Sequence, residues 1–278
     1  MKRLVVTADD FGAAREVNEA VEIAHRDGIL TATSLMVAAP AAGEAVKLAK
    51  RIPGLRVGLH IVLVEGRPIL PPSQLPDLVD GAGLFRTDMA VNGARIFFFP
   101  KIRHQLEHEI EAQFEAFHAT GLSLDHVNAH KHFHLHPTIA SAILRIGKKF
   151  GMRALRVPRE PRGVLAKIES QSRDPIAAIT TPWSALLANR LKAHGIATAD
   201  NVFGLRWSGA MTKARLLGLL DHLPEGLNEI YLHPATGTYS ASAPGYRYVE
   251  ELSALIAPEV VSATRDPHTK LGGFSDFR

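Results

Sequence analysis

Five of the chain's fourteen histidines fall within thirteen residues, Asp125 to Pro137 (DHVNAHKHFHLHP). Every second position from His126 to His136 is histidine except Asn128, so in an extended segment these side chains share one face. A row of imidazoles is costly to bury dry, because each ring nitrogen needs a partner, and water, a carboxylate or a metal ion supplies one. A solvated loop accounts for any single one of them, but the run as a whole points to a metal or catalytic site. Elsewhere, Asp9 and Asp10 follow the apolar run Leu4 to Ala8. Two carboxylates there are expensive unless ligated or hydrogen-bonded, although Asp also favours turns and helix caps. His60 interrupts the apolar stretch Val57 to Leu63, and His233 ends Ile230-Tyr231-Leu232. One Asp and two His from different strand ends make a facial set that leaves positions open for water and substrate. A metal held so polarises a carbonyl and lowers the pKa of water.

A second pattern, His104-Gln105-Leu106-Glu107-His108, matches the H-x-x-E-H of inverted zinc peptidases. At about 100° per residue, both histidines lie opposite the stripe Ile102, Leu106, Ile110 and Phe117, on the solvated face of an outer helix. The chain has no cysteine, so disulfides and thiolate chemistry are excluded and any metal must use His, Asp, Glu or water. The net charge of +4 is a mild excess, and no run of Lys/Arg interleaved with aromatics suggests nucleic-acid binding. The few apolar residues after Met1-Lys2-Arg3 are too short for a signal-peptide core, and no stretch approaches a membrane span. The expected location is cytoplasmic, with any membrane contact peripheral.

These residues need elements to position them. Leu4 to Ala8 reads as a strand buried on both faces. Val17, Ala20, Val21 and Ala24 recur at helical spacing, with Gly28 placed to cap that helix. Ser34 to Val37 and Val57 to Leu63 read as strands, with a helix from Ala41 to Arg51 between them. From Val64 the periodicity breaks in a proline cluster between Pro68 and Pro76, and 64–95 is expected to be an inserted loop or lid. A helix from Lys101 to His118, a strand from Leu122 to Asn128 and a helix opened by His136-Pro137 follow. Arg153 to Val157 and Thr198 to Phe203 are further strands, separated by a helix over 176–194. A helix from Ala214 to Leu223, a strand at Glu229 to Leu232 and a helix from Tyr246 to Ile256 complete the pattern, leaving 266–278 as a patternless tail. Strand and helix alternate about seven times with no linker. This predicts one domain over 1–278, an α/β fold in the form of a distorted TIM-like (β/α) barrel. A barrel converges its strand C-termini on one face, where Asp9, Asp10, His60, His130 and His233 would meet. An open doubly wound sheet is the alternative, but the first strand–helix turn lacks a Gly-rich phosphate fingerprint.

The motifs Thr7-Ala8-Asp9-Asp10-Phe11-Gly12, Gly58-Leu59-His60, Asn128-Ala129-His130-Lys131-His132 and Leu232-His233-Pro234 resemble those of the YdjC-like (ChbG) carbohydrate deacetylases, in order and spacing along nearly the whole chain. Glu16 to Ala20, Val64-Glu65-Gly66-Arg67-Pro68 and the His130 to Pro137 run resemble the hopanoid-biosynthesis-associated HpnK branch. The resemblance implies a metal-dependent enzyme that removes N-acetyl groups from amino sugars. Asp10, His60 and His130 would hold one divalent ion, Mg or Zn. Asp9 would be the general base and His233 the general acid or an orienting group. Arg156, His132, His134 and Asn128 would bind or position substrate. The oligosaccharide-deacetylating branch has Ser at Ala129 and a consecutive His triplet at His130-Lys131-His132, so sugar specificity departs here. In the hopanoid branch the substrate is an N-acetylglucosaminyl lipid. For this chain that suggests contact of Phe97, Phe98 and Phe99 with a membrane surface, against the alternative of a core-packed helix start. A homodimer is a further expectation. The competing readings are a deacetylase of soluble chitooligosaccharides, a metallophosphoesterase, disfavoured by the lack of clustered basic residues near the motifs, and a non-catalytic glycan-binding barrel.

Overall fold

The first apolar run extends into β1 (Lys2–Phe11), which is buried from Leu4 onward. A computed structural model describes residues 1–170 and 182–277, and the backbone alone of 175–181. After β1 come α1 (Arg15–Asp27), β2 (Ala32–Leu35), α2 (Ala42–Arg51), β3 (Arg56–Ile61), α3 (Met89–Phe98), α4 (Pro100–Ala119), β4 (Val127–Ala129) and α5 (Pro137–Lys149). The second half adds α6 (Arg162–Ile168), α7 (Pro175–Ala193), β5 (Asn201–Phe203), α8 (Lys213–Asp221), β6 (Gly226–Leu232), α9 (Tyr248–Ile256), α10 (Pro258–Ala263) and β7 (Thr269–Leu271). The strands pair in parallel in the order β4-β3-β2-β1-β6-β5, with β7 beside the start of β1. The expected fifth strand at 153–157 is reduced to single parallel bridges, Leu155 to Val127 and Ala154 to Ala197. With Val202 N donating to Arg159 O, they carry the backbone bonding from β4 round to β5. The sheet therefore curls into a distorted TIM-like barrel.

Strand alternation divides the molecule into two regions. Leu4, Val6 and Ala8 of β1 face outward into the large core shared with the helices. Val5 points inward and packs with Ala32, Ala154, Val202, Leu227 and Phe274 as an apolar floor of the barrel. Above that floor the inward positions turn polar and still buried: Thr7, Ser34, Asn128, Arg156 and Glu229. The site sits on top of this layer.

Two expectations change. The tail after Arg265 supplies β7 and the buried Phe274 of the floor, and Asp125 accepts from the backbone N–H of Phe274 and Ser275. A three-residue strand has no periodicity to read, so this pairing was invisible in the pattern. The inserted segment ends earlier than expected, because α3 begins at Met89 with Asp88 capping Val91 N. Its preceding loop lies along α4, where Glu109 accepts from Ile69 N and Leu70 N and Gln105 accepts from Asp77 N. Gly28 is the C-cap of α1 as expected, and it is also a point of close approach, because a Cβ there would stand 2.5 Å from Leu255 O of α9.

Candidate metal and active site

Asp9 and Asp10 would face opposite sides of a regular strand, but Asp10 has φ +62° and the β1–β2 register slips between Ala8 and Phe11. This left-handed turn swings Asp10 back over the barrel mouth beside Asp9. His60 is the penultimate residue of β3. β4 ends at Ala129, and His130–Leu135 form a 3-10 turn in which Lys131 and His132 have φ of +52° and +54°. The histidine run is thus not one extended face: only His126, Asn128 and His130 follow the alternation into the barrel.

His60 Nε2 and His130 Nδ1 stand 3.2 and 3.3 Å from Asp10 Oδ1 and 3.3 Å from each other. A tetrahedral ion bonded at about 2.0 Å needs ligand atoms about 3.3 Å apart, so these three atoms match one face of such a polyhedron. Asp10 Oδ1 is buried without an aligned hydrogen bond, the orphaned atom a cation would satisfy. Burial pushes the Asp10 carboxyl up, but the facing His130 and His60 rings overcome this and hold it well below the usual carboxylate range. The same three residues are the only His/Asp/Glu group of this kind among the described residues. Behind them, His60 Nδ1 donates to Asn128 Oδ1 at 2.7 Å, which turns the Nε2 lone pair toward the centre.

Asp9 is held from below. Its Oδ1 accepts from Ser34 Oγ (3.0 Å), Asn128 Nδ2 (3.0 Å) and Arg156 Nη2 (2.9 Å), and its Oδ2 accepts from Arg156 Nη1 (2.5 Å). Burial raises this carboxyl too, but the Arg156 guanidinium, with the His60 and His233 rings, outweighs it and keeps Asp9 ionised. Arg156 is fully buried, its other edge bonded to Glu229 Oε1 and its plane 4.5 Å from the Tyr231 ring centroid. It is a holder of Asp9 placed beneath the site. Asn128 likewise sits behind the carboxylate, and the fully buried His134 bonds Arg156 O at 2.8 Å, its ring pushed by burial down to about 4. Of the four residues expected to bind substrate, only His132 reaches the cavity wall, bonded to Tyr231 OH at 2.9 Å.

The cavity above the triad has a volume of about 470 Å³. Its lining includes Asp9, Asp10, His60, His130 and His132, together with His233, which follows β6 beside the end of β1, and Tyr239 and Tyr246 from the loop between β6 and α9. His233 is fixed by its backbone N–H to the buried Glu251 (2.5 Å) and by edge contact with Tyr246 at 5.2 Å. Glu65 is the residue of the inserted segment that reaches this wall, where it pairs with Lys131. His104 and His108 are exposed on α4, His126 pairs with Asp125 in the floor, and His136 starts α5. Sequence reasoning missed Ser34, Glu229 and the tyrosine wall. Glu229 did carry a signal, as a lone acid within an apolar strand.

A parallel barrel with two His and one Asp clustered at its C-terminal mouth is compatible with a site for a divalent metal. The chain belongs to the YdjC-like protein family, whose model matches residues 3–266. It is 35% identical to the carbohydrate deacetylase of Brevibacillus brevis over 99% of both chains. It is 30% identical to that of Geobacillus stearothermophilus over 98% of this chain and 97% of the relative. A crystal structure of an Enterococcus faecalis protein named for cellobiose-phosphate cleavage superposes with a TM-score of 0.76 at 24% identity, covering 99% of this chain and 98% of that one, and so shares the fold.

Proposed function

We propose that the protein hydrolyses the N-acetyl group of an N-acetylglucosamine-type amino sugar with the help of one divalent ion. The observation that carries this is the convergence of Asp10, His60 and His130 on an unsatisfied carboxylate oxygen at the floor of a sugar-sized cavity, in a chain whose relatives are carbohydrate deacetylases. Those three residues would hold the ion, Zn or Mg by donor type, which when bound supplies Lewis acidity toward an acetamide carbonyl and toward water. Asp9 takes the proton of the attacking water. Three donors occupy its Oδ1 and one its Oδ2, so the remaining lone pair of Oδ2 is the accepting site. His233, which lines the same cavity, protonates the departing nitrogen or orients it as acetate leaves.

The finer reading is that the sugar is carried on a lipid of the hopanoid type. The aromatic ridge Phe97, Phe98 and Phe99, half or more exposed, supports it by offering an apolar surface. The protein would then work in the cytoplasm, peripherally at the membrane and as a homodimer. No helix among the described residues is long and apolar enough to cross a membrane.

Acetate release from N-acetylglucosaminyl lipids and chitooligosaccharides, with and without chelator, tests the reading. Chelation should abolish turnover and added metal restore it. Asp9→Asn should lose turnover while keeping stoichiometric metal; an active Asp9→Asn protein would remove Asp9 from the base role.

A further inference from the structure

Four non-glycine residues among those described have left-handed backbone, Asp10, Glu65, Lys131 and His132, and all four line the one cavity above the triad. Asp10 turns to reach the metal position and His132 turns to reach Tyr231 OH. Glu65 and Lys131 have no such account. They follow different strands, just beyond β3 and β4, and meet as an ion pair at the cavity mouth with side chains 37% and 45% exposed. An ion pair this exposed adds little stability, so it does not offset two strained backbones. Strained, half-exposed groups held at the mouth of a cavity point to a ligand.

The rest of the wall narrows that ligand's chemistry. Lys131 and Glu65 neutralise each other, Asp9 is balanced by Arg156 beneath, and no arginine or second lysine lines the cavity. Away from the metal position, a phosphate or carboxylate therefore finds no free cationic side chain. The same cavity is also lined by Leu205, Tyr239, Pro244 and Tyr246, an apolar and aromatic surface suited to the flat face of a pyranose. Tyr246 is fixed there by Ser208 Oγ at 2.8 Å and by Gly209, whose hypothetical Cβ would lie 2.2 Å from its ring.

We propose that Glu65 and Lys131 form a specificity pair that grips the hydroxyls of an uncharged sugar ring, the ammonium donating and the carboxylate accepting, while Tyr246 backs the ring's other face. This rests on reading the site as one for an amino sugar. The test is calorimetric binding of methyl N-acetylglucosaminide to the metal-loaded protein, alongside acetate release from the same sugar. Lys131→Met and Glu65→Gln should each weaken binding at least tenfold with bound metal unchanged. The charge-reversed double variant, Glu65→Lys with Lys131→Glu, re-forms the pair with donor and acceptor exchanged and should stay at least tenfold weak. Binding equal to wild type in the single variants, full recovery in the double variant, or no binding by wild type overturns the proposal. Wild type that binds the sugar yet releases no acetate sinks the deacetylase reading instead, and loss of binding in the variants then still supports the pair.

Discussion

Asp10 shows how much of the site depends on one backbone angle. Its left-handed φ costs about 1–3 kcal/mol in a non-glycine residue, and it puts two consecutive carboxylates on one side of a strand. The two then divide the work: Asp10 faces the histidines, while Asp9 is tied to Arg156 across 147 residues of sequence. Asp10→Ala should lose both bound metal and acetate release, measured by elemental analysis and turnover. Asn128→Ala frees the His60 ring from its orienting acceptor and should weaken metal affinity about 10–100-fold while the three ligands remain. Arg156→Met leaves Asp9 and Glu229 buried without their shared cation, so chemical denaturation should show a loss of about 3–5 kcal/mol.

Among the elements, the C-terminal segment and the β6–α9 loop matter more than their sequences suggest. Asp125 pairs with His126 and accepts two backbone N–H groups of the terminal turn. Burial raises its carboxyl, but His126 and Ser275 reverse this and hold it well below the usual range. A folded pKa below the unfolded value, about 3.9, means stability that is present above that pH and lost as pH falls through and below it. Asp125→Asn should therefore be less stable than wild type by about 1–3 kcal/mol at pH 7, and thermal melts of the two should converge on acidification. Equal melting temperatures at neutral pH would show that Asp125 does not pin the tail. Tyr246 of that loop packs on Gly209 of the β5–α8 connection, and Gly209→Ala forces a Cβ into the Tyr246 ring from a φ of +69°. A cost of about 1–3 kcal/mol is expected, with weaker sugar binding if the tyrosine wall shifts.

At the scale of the molecule, the exposed apolar residues are not scattered. Phe97, Phe98 and Phe99 of α3 and its end are 50%, 71% and 56% exposed, so the expectation of a core-packed helix start does not hold. With Trp183 of α7, Phe97 and Phe98 border a cavity of about 490 Å³ that also touches Leu135 and His136, at the far end of the turn that begins with His130. An apolar ridge one turn from the active centre suits a substrate whose sugar is carried on an apolar body. Replacing Phe97, Phe98 and Phe99 with Ser should reduce co-sedimentation with anionic liposomes and reduce turnover of lipid-borne substrate more than of a soluble glycoside. Equal losses on both substrates would end the membrane role.

The sequence by itself determined the class of fold and pointed to a candidate metal site. Buried parallel strands read as short apolar runs, and polar residues at their C-terminal ends stand out against them, so the Asp9–Asp10 pair, His60 and His130 are legible for that reason, while the choice of Asp10 within the pair came with the family resemblance. Alternation also correctly placed Asn128 and His130 on one inward face, because a strand's side-chain direction is a local property. Tertiary structure alone decided the rest. The αL turns at Asp10, Glu65, Lys131 and His132 are imposed by surroundings and leave no periodic trace. The placement of Arg156 beneath Asp9, the tyrosines in the cavity lining and the tail under the barrel floor depends on pairings between residues far apart in the chain. Residue type announces such partners as buried charges or aromatics, but which of them meet is fixed only when the barrel closes.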